Sequence, residues 1–294
     1  MARRILIVCR HFWPEPSGVN DLCARLAATG YKVDVLCGQP STQEGGFMKG
    51  YNSHKVRREI HHKINIYRTI DVRKGTDSHI SIFLNYITFP ITSLLKTGKL
   101  MKNRYSAVLI YQLSPVMMSA PGLRIAKKQE IPVYLYVAEL WPQHLYSVID
   151  VQSRLFRKFL TTLSMHYYRK ASKLIVTSPA MRKYFADRLG LTDEQMPVVT
   201  HSPDPIWQED ILDETLLEQL AGSFTLLIPG DRQGQLSVKT VMRIAQMIQA
   251  GEGRNIRFIV LGTGSRIREL QQQVSLEGLE DYFYFEGKVE PGDL

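Results

Sequence analysis

The chain alternates short apolar runs with amphipathic stretches, a pattern typical of βα units. The first apolar run, Ile5–Cys9, is followed by the helical pattern Asp21–Thr29, which ends at Gly30, a residue common after helix C-termini. Strands are predicted at Ile5–Cys9, Lys32–Cys37, Ile64–Ile70, Ala107–Tyr111, Ile131–Ala138, Leu174–Thr177 and Val198–Thr200, and helices at Asp21–Thr29, Ile80–Leu95, Ala120–Gln129, Arg154–Lys173 and Ala180–Leu189. This repetition predicts a doubly wound parallel α/β sheet.

Residues 201–207 contain two prolines and are predicted to be a linker, after which the alternation starts again. The second series comprises helix Glu209–Leu220, strand Phe224–Ile228, helix Lys239–Gln249, strand Ile256–Leu261, helix Arg266–Ser275 and strand Tyr282–Phe285. We therefore predict two Rossmann-like domains, residues 1–204 and residues 205–294. Because three strands are few for a doubly wound sheet, the second domain is expected to be incomplete.

The apolar run Ile131–Ala138 is typical of a strand that is buried on both faces of a parallel sheet. It ends in Glu139, and Trp141 and Pro142 follow. Ligands of open α/β sheets bind beyond the carboxyl ends of the strands. A carboxylate and an indole at that place are poor choices for a core and are suited to holding a polar ring. The alternative is structural, with the carboxylate capping the next helix.

The charge is unevenly distributed along the 294 residues. Residues 1–204 hold 29 Lys and Arg against 14 Asp and Glu, a balance of +15, whereas residues 205–294 hold 8 against 14, a balance of −6; together they give the net charge of +9. A basic first domain could face nucleic acid, anionic lipid or phosphate-bearing substrates, or could simply have solvated basic helix faces. Nucleic acid is disfavoured, because no exposed strand alternates aromatic and basic residues.

Three cysteines, Cys9, Cys23 and Cys37, have no metal-ligand spacing, and their odd number leaves one unpaired in any disulfide scheme. A reducing, cytoplasmic compartment fits them best. The apolar run Ile5–Cys9 is too short for the core of a signal peptide. Residues 39–63 are polar and are predicted to be a long mobile excursion, in which His61 and His62 form a solvated surface pair and no metal site.

Two stretches have the composition of membrane-surface helices. Ile80–Leu95 is strongly apolar, but Asn85 and Pro90 interrupt it and it is shorter than the roughly 20 residues that a membrane-spanning helix needs. Packing against the core and contact with the membrane interface are equally good interpretations of it. The basic amphipathic stretch Arg154–Lys173 favours membrane contact slightly.

The loop between the first strand and the first helix lacks the G-x-G-x-x-G pattern, which argues against a nicotinamide or flavin enzyme. Gly18 at the start of the helix would let a ligand approach the backbone, where the amides favour an anion, although it could equally form only a turn. The chain contains no Asp-x-Asp metal-binding motif.

Four stretches, taken in order, resemble retaining glycosyltransferases of family 4, which have the GT-B architecture of two Rossmann-like domains. They are RRILIVCRHFWPEPSGVNDLCARLAATGYKVDVLCG, IPVYLYVAELWPQ, KLIVTSPAMRKYF and IRFIVLGTGSRIRELQQQVSLEGLEDYFYFEGKV. Similar stretches occur in enzymes that build bacterial capsule, O-antigen and exopolysaccharide units. In this chain Glu139 replaces the usual Asp, and Gln235 stands where a lysine is common. The family's late Glu-x7-Glu segment would lie beyond Leu294, so the second domain resembles a truncated one.

The resemblance implies a division of roles between the two domains. It implies Glu139 and His11 as catalytic residues, Glu15, Gly18, Trp141 and Pro142 on the acceptor side, and Gly230, Arg232, Gly234, Gly262 and Gly264 as donor-binding residues. No metal or cofactor is expected.

The expected reaction moves a sugar from a nucleotide-sugar donor, UDP-linked, to a lipid-linked or polysaccharide acceptor with retention, in cell-surface polysaccharide biosynthesis. The expected location is cytoplasmic, peripheral on the inner face of the membrane and in contact with anionic lipid. A second chain that completes the C-terminal domain is a further expected partner. One alternative is a truncated or degenerate homologue that binds membrane, acceptor or a partner chain without catalysis. Another is an epimerase of sugar nucleotides.

Overall fold

The chain divides into two compact units, Met1–His201 and Ser202–Leu294. The structure, a computed structural model, describes residues 3–42, 46–54, 56–71, 79–113, 115–148, 151–200, 222–228, 237–251 and 255–287. The sequence-predicted domain boundary after residue 204, the linker 201–207 and the helix 209–220 lie outside these residues. Each unit is described by itself.

The first unit contains a seven-stranded sheet in the order β3-β4-β2-β1-β5-β6-β7. The strands are β1 (Arg4–Val8), β2 (Lys32–Cys37), β3 (Arg58–His61), β4 (Ile64–Arg68), β5 (Ala107–Gln112), β6 (Val133–Val137) and β7 (Lys173–Val176). All neighbours are parallel except the antiparallel pair β3 and β4. In place of the predicted strand Val198–Thr200 there is a single bridge between Val198 and Val176. The order reverses between β1 and β5, where ligands of doubly wound sheets bind.

Helices cover both faces of this sheet, which is why its central strand β1 is apolar on both faces. In β1, Leu6 and Val8 enter one core, and Ile7 and Cys9 enter the other. The helices are α1 (Gly18–Ala28), α2 (His79–Leu100), α3 (Ala120–Gln129), α4 (Gln143–Val148), α5 (Arg154–Tyr168) and α6 (Pro179–Leu189). Buried residues of α1 belong to the core of Ile7, whereas those of α2, α3, α5 and α6 belong to the core of Leu6.

The segment before β4 is a β-hairpin, so the predicted mobile excursion is wrong for residues 58–63. Arg58 of β3 is paired with Tyr67 of β4, and the two turn residues His62 and Lys63 have φ values of 44° and 66°. Both angles lie in the left-handed region, as in a type I′ hairpin turn. Such turns usually contain Asn-Gly or Asp-Gly, so the His-Lys pair gave no recognisable turn signal. His61 is not merely solvated, because its ring stacks on another aromatic ring, described below.

Helix α2 packs one face against the core, which agrees with the first of the two interpretations of the stretch Ile80–Leu95. Phe89 and Leu100 are fully buried, and so are the small polar residues Ser93 and Thr97. Leu95 on the opposite side is 79% exposed. Among the described residues, no helix combines the length and the apolarity that crossing a bilayer requires.

A buried carboxylate links strands of the first sheet in their amino-terminal halves. Asp34 of β2 is fully buried and accepts hydrogen bonds from Arg4 (3.1 Å), Asn65 (3.0 Å), Asn103 (2.9 Å) and Tyr105 (3.0 Å). Since a buried charge is stable only when it is paired and hydrogen-bonded, these four donors explain how an aspartate can stand in an otherwise apolar strand.

The second unit contains a three-stranded parallel sheet in the order β10-β9-β8. Its elements are β8 (Phe224–Ile228), α7 (Val238–Ala250), β9 (Ile256–Leu261), α8 (Ser265–Leu276) and β10 (Phe283–Glu286). Val238 and Met242 of α7 pack with Ile267 and Leu270 of α8 in one core. The strands β8 and β9 have the predicted bounds.

Candidate functional site

The first part of the candidate site lies at the carboxyl ends of β1 and β5, where the strand order reverses. Helix α1 begins at Gly18, three residues before the predicted helix Asp21–Thr29, and a Cβ atom built on this glycine would lie 3.6 Å from the hydroxyl oxygen of Tyr111. The start of α1 therefore contacts the end of β5. The loop that precedes Gly18 runs along this edge of the sheet.

The loop after β1 is held in place by side chains that bond to its backbone. The amide of Trp13 donates to Oδ1 of Asn20 (3.0 Å), and Nδ2 of Asn20 donates to the carbonyl oxygen of Glu15 (2.9 Å). The ring of Trp13 stacks on His61 with a centroid distance of 3.8 Å and an interplanar angle of 15°. Burial and the neighbouring His62 lower the pKa of His61, so its imidazole is predominantly neutral at pH 7. The hairpin thus supports the loop through a stacked pair of rings.

Arg68, a residue that sequence reasoning missed, connects this loop to two other segments. Its fully buried guanidinium donates to the carbonyl oxygens of Trp13 and Gly38 (3.0 Å to Gly38) and forms an ion pair with Glu59. It also lies over the ring of Tyr51, with 5.1 Å between the guanidinium carbon and the ring centroid. A basic residue at the end of a strand is usually solvated, so the sequence carried no signal for this burial.

His11 and Glu15 form a pair within the loop. Nδ1 of His11 lies 2.8 Å from Oε1 of Glu15, and the two side chains are 34% and 18% exposed. Ser41, after β2, donates to the same carboxylate from its amide and its hydroxyl, both at 3.3 Å. The structure therefore brings together two residues that the sequence predicts for the site, with their side chains in contact.

A second pair of histidine and carboxylate lies beyond β6. Oε2 of Glu139 is 3.8 Å from Nε2 of His144 in α4, and both side chains are largely buried, at 18% and 17% exposed. The carbonyl oxygen of Glu139 also accepts a hydrogen bond from Gln112 at the end of β5 (3.1 Å). Glu139 thus lies at the predicted edge of the sheet and contacts the next helix. This position is compatible with both sequence interpretations, contact with a ligand and a structural role at that helix.

The expectation that Trp141 is a poor choice for the core is wrong. Its side chain is only 2% exposed and belongs to the core that includes residues of α3, α5 and α6. Its amide donates to the hydroxyl of Tyr168 (3.3 Å), and this hydroxyl donates to Oε1 of Gln112 (3.1 Å). The peptide bond between Trp141 and Pro142 is cis. An indole buries a large apolar area, which explains its inward position.

Tyr111 and Tyr136 form a pair that was not predicted as part of the site. They are neighbours in the pairing of β5 with β6, and their rings are stacked with centroids 5.1 Å apart and 18° between planes. Burial raises the pKa of Tyr136 to about 12, with a smaller contribution from Tyr111. Burial, followed by Cys9 and Glu139, raises the pKa of Tyr111. Both hydroxyls are therefore neutral at physiological pH. The Tyr-x-Tyr pattern in β6 was the available signal.

A hollow of about 390 Å³ lies on the first unit away from these residues. It is lined by Thr161, Thr162, Met165, His166, Arg169 and Arg188. These residues belong to α5 and α6 and not to the carboxyl ends of strands, where ligands of this sheet type bind. We therefore do not include this hollow in the candidate site.

The second unit has a hollow of about 280 Å³ at the carboxyl ends of β9 and β10. Gly262 and Gly264 line it with φ values of 91° and 151°, which favour glycine. Gly264 is the N-cap of α8 and provides no side-chain acceptor, so the first-turn amides and the helix dipole favour an anion here. Arg268 adds a positive charge that sequence reasoning missed. The lining residues are Gly262, Thr263, Gly264, Ile267, Arg268, Gln271, Phe285, Glu286 and Gly287.

The other predicted donor-binding residues, Gly230, Arg232 and Gly234, lie outside the described residues and stay predictions. Within the described part of the chain, no three His, Cys, Asp or Glu side chains are grouped in a way that could hold a metal ion.

A glycine-lined hollow in one Rossmann-like unit and a polar strand edge in the other led us to compare the chain with known proteins. A family model described as Glycosyltransferase Family 4 matches residues 17–205, more than half of the chain. The chain belongs to glycosyltransferase family 4. This membership favours a sugar transferase over the epimerase alternative. A comparison with curated protein sequences found no significant match.

Solved structures similar to this family 4 chain include glycosyltransferases. HepE from Anabaena, in complex with UDP and glucose, has a TM-score of 0.58 and 16% identity over 98% of this chain and 70% of its own. The lipopolysaccharide outer core galactosyltransferase WaaB has a TM-score of 0.55 and 10% identity over 98% and 68%. WaaG, a glycosyltransferase involved in lipopolysaccharide biosynthesis, has a TM-score of 0.55 and 13% identity over 97% and 70%. The predicted α/β fold class, with Rossmann-like domains of the GT-B kind, is confirmed.

Proposed function

We propose that this chain transfers a sugar from a UDP-sugar to a lipid-linked or polysaccharide acceptor, with retention at the anomeric carbon, in cell-surface polysaccharide biosynthesis. The observation that carries the proposal is the hollow at Gly262 and Gly264, in a chain of glycosyltransferase family 4. HepE, which has a similar fold, was solved with UDP-glucose bound. UDP is therefore the nucleotide that we propose for this hollow.

On the donor side, the bond between the anomeric carbon and the UDP oxygen breaks, and the diphosphate leaves with an added negative charge. The first-turn amides of α8 and the side chain of Arg268 are placed to stabilise that charge. The predicted residues Gly230, Arg232 and Gly234 would add contacts to the diphosphate. Because helix amides and arginines can do this work, the proposed reaction does not depend on a metal ion.

On the acceptor side, a hydroxyl oxygen forms the new bond to the anomeric carbon and loses its proton. We assign His11 as the group that accepts this proton, with Oε1 of Glu15 lying 2.8 Å from its Nδ1. Glu139 would orient the acceptor through its carboxylate beside His144. Gly18, and the backbone at Trp141 and Pro142, would shape the acceptor side.

The proposed acceptor places the enzyme at the cytoplasmic face of a membrane, in peripheral contact with anionic lipid. The first 204 residues carry a balance of +15, which attracts both anionic headgroups and the diphosphate of a lipid-linked sugar. A second chain that pairs with the three-stranded sheet of the second unit is the further partner that we propose.

The test is calorimetric titration of UDP-sugars into the purified chain, with UDP alone for comparison. We expect micromolar binding that is lost in the Arg232→Ala variant and weakened in Arg268→Ala. Arg243→Ala, which removes an exposed arginine from α7, is the matched control and should bind as the wild type does. Transfer activity should be unchanged by a metal chelator.

The same titration decides between catalysis and the non-catalytic alternative. A folded chain that binds no nucleotide sugar would contradict the proposed transferase and would favour a protein that only binds membrane, acceptor or a partner chain. Circular dichroism of the same sample establishes that the chain is folded.

A further inference from the structure

The first turns of α5 expose three large apolar side chains within five positions. Leu155 is 82% exposed, Phe156 is 46% exposed and Phe159 is 59% exposed. The rings of Phe156 and Phe159 are stacked with centroids 6.4 Å apart, so they form one surface. Single exposed apolar residues are common, but a contiguous group marks an interaction site. We call the segment Arg154–Phe159 the α5 tip.

Three cations lie among these apolar side chains. Arg154, Arg157 and Lys158 are all exposed, and they alternate with Leu155, Phe156 and Phe159 along the helix. Residues 151–173 contain six Lys and Arg and no Asp or Glu. A surface that combines apolar side chains with an uncompensated positive charge is complementary to the interface of an anionic bilayer.

The α5 tip is an ordered part of the unit. The hydroxyl of Ser153 accepts from the amide of Phe156 (3.3 Å) and caps the helix. Nε of Arg157 donates to the carbonyl oxygen of Val151 (2.7 Å), and its guanidinium lies 4.7 Å from the ring centroid of Tyr146. The apolar side chains are thus presented by a helix whose start is fixed, and their exposure does not come from fraying.

We propose that the α5 tip docks the first unit onto a bilayer that contains anionic lipid, with Leu155, Phe156 and Phe159 in the interface and the cations at the headgroups. This inference deepens the proposed function and rests on its membrane-linked acceptor. Helix α5 connects the parallel strands β6 and β7, so it begins at the carboxyl-end edge of the sheet. This is the edge at which His11 and Glu139 lie.

A second copy of the chain is a poorer occupant of the same surface. Self-association through the α5 tip would bring three cations of one copy against three of the other, and like charges across an interface are unfavourable. An acidic partner protein would satisfy the cations, but a bilayer satisfies both the cations and the stacked phenylalanine rings without a complementary shape.

Vesicle co-sedimentation of the full chain tests the proposal. Vesicles of phosphatidylcholine with phosphatidylglycerol should bind the chain at low salt, and vesicles of phosphatidylcholine alone should bind it weakly. The double variants Phe156→Ser/Phe159→Ser and Arg154→Gln/Lys158→Gln should each lower the partition coefficient about tenfold or more, since each cation near an anionic surface contributes roughly fivefold. Leu276→Ser, at a leucine of α8 that is 79% exposed, is the matched control and should bind normally.

Two results would overturn the proposal. One is binding of both double variants equal to that of the wild type. The other is a fall from oligomer to monomer by light scattering in the phenylalanine variant, with vesicle binding unchanged, which would assign the α5 tip to self-association. UDP titration of the wild type and the same variants separates failure of this proposal from failure of the proposed function. Variants that bind UDP normally but no longer bind vesicles support docking through the α5 tip. A wild-type chain that binds vesicles but not UDP contradicts only the proposed transferase.

Discussion

Nδ1 of His11 lies 2.8 Å from a carboxylate oxygen of Glu15 in the loop between β1 and α1. The carboxylate is also held by Ser41, which follows β2, so its position depends on two loops at the same edge of the sheet. Contact with a fixed carboxylate limits the orientations that the imidazole can adopt. The arrangement needs no contribution from the second unit.

Replacing His11 by alanine is expected to lower kcat about 10²-fold, because positioned proton acceptors typically contribute 10²–10⁴-fold. Glu15→Gln should lower kcat less, since it leaves the imidazole in place but removes the charge that holds it. UDP-sugar affinity, measured by calorimetry, should stay unchanged in both variants. His54→Ala removes an exposed histidine and serves as the control. Full activity of His11→Ala would remove this residue from the mechanism.

Gly264→Ala is expected to weaken UDP binding roughly tenfold, because a φ of 151° costs a residue with a side chain on the order of 1–3 kcal/mol and shifts the start of α8. Gly278→Ala is the matched variant, since Gly278 also has a positive φ (65°) but does not line the hollow. Both variants should lose stability in urea, and only Gly264→Ala should lose affinity for UDP. Equal affinities would place the nucleotide elsewhere.

Gly38→Ala should destabilise the first unit by about 1–3 kcal/mol, the range for forcing a methyl group into a packed site. A Cβ atom at Gly38 would lie 2.6 Å from Oδ2 of Asp71 and 3.0 Å from the carbonyl oxygen of Arg10. Gly98 is the opposite case, because it is an exposed position of α2 and nothing lies within 4 Å of an added Cβ atom. Gly98→Ala should stabilise the first unit by about 0.5–1 kcal/mol. Urea unfolding measures both, and a stable Gly38→Ala variant would contradict the close approach.

The three thiols should be unreactive toward Ellman's reagent at pH 8 in the folded chain and should all react in denaturant. Burial raises the pKa of Cys23 and of Cys37 from 9.0 to about 12 and raises the pKa of Cys9 as well. Above pH 9 the three thiols therefore stay protonated in the folded chain, whereas those of the unfolded chain lose their protons. The resulting stability is fully present below pH 9 and is lost as pH rises from about 9 to about 12. Rapid labelling of the native chain at pH 8 would show that the thiols are accessible.

The sequence was sufficient for the regular elements because their apolar periods are strong. Helix α3 and strands β8 and β9 have the predicted bounds. The two longest helices, α2 and α5, begin within one residue of their predictions, but α2 ends five residues later and α5 ends five residues earlier than predicted. It was insufficient for β3, whose hairpin turn at His62 and Lys63 uses residues without turn preference. The period of apolar residues predicts which face of an element is buried, but it does not predict strand pairing across an unusual turn.

For the candidate site, the sequence predicted which residues lie at the end of a strand, but it did not predict what surrounds their side chains. Trp141 follows a buried strand as expected, yet its indole turns into the core. Arg68 was not singled out by the sequence, whereas Trp13, Gly38 and Glu59 from three other segments provide its acceptors. Burial of such residues depends on long-range contacts, and local patterns do not encode them.

Arg68 bonds to carbonyl oxygens of Trp13 and Gly38, which every amino acid possesses. The path of the loop after β1 is thereby independent of most of the side chains that the loop carries. Residues at its surface can be exchanged without moving its backbone. If the loop contacts the acceptor as proposed, it is a suitable place to redesign acceptor preference, because the rest of the unit keeps its backbone in place while its side chains are varied.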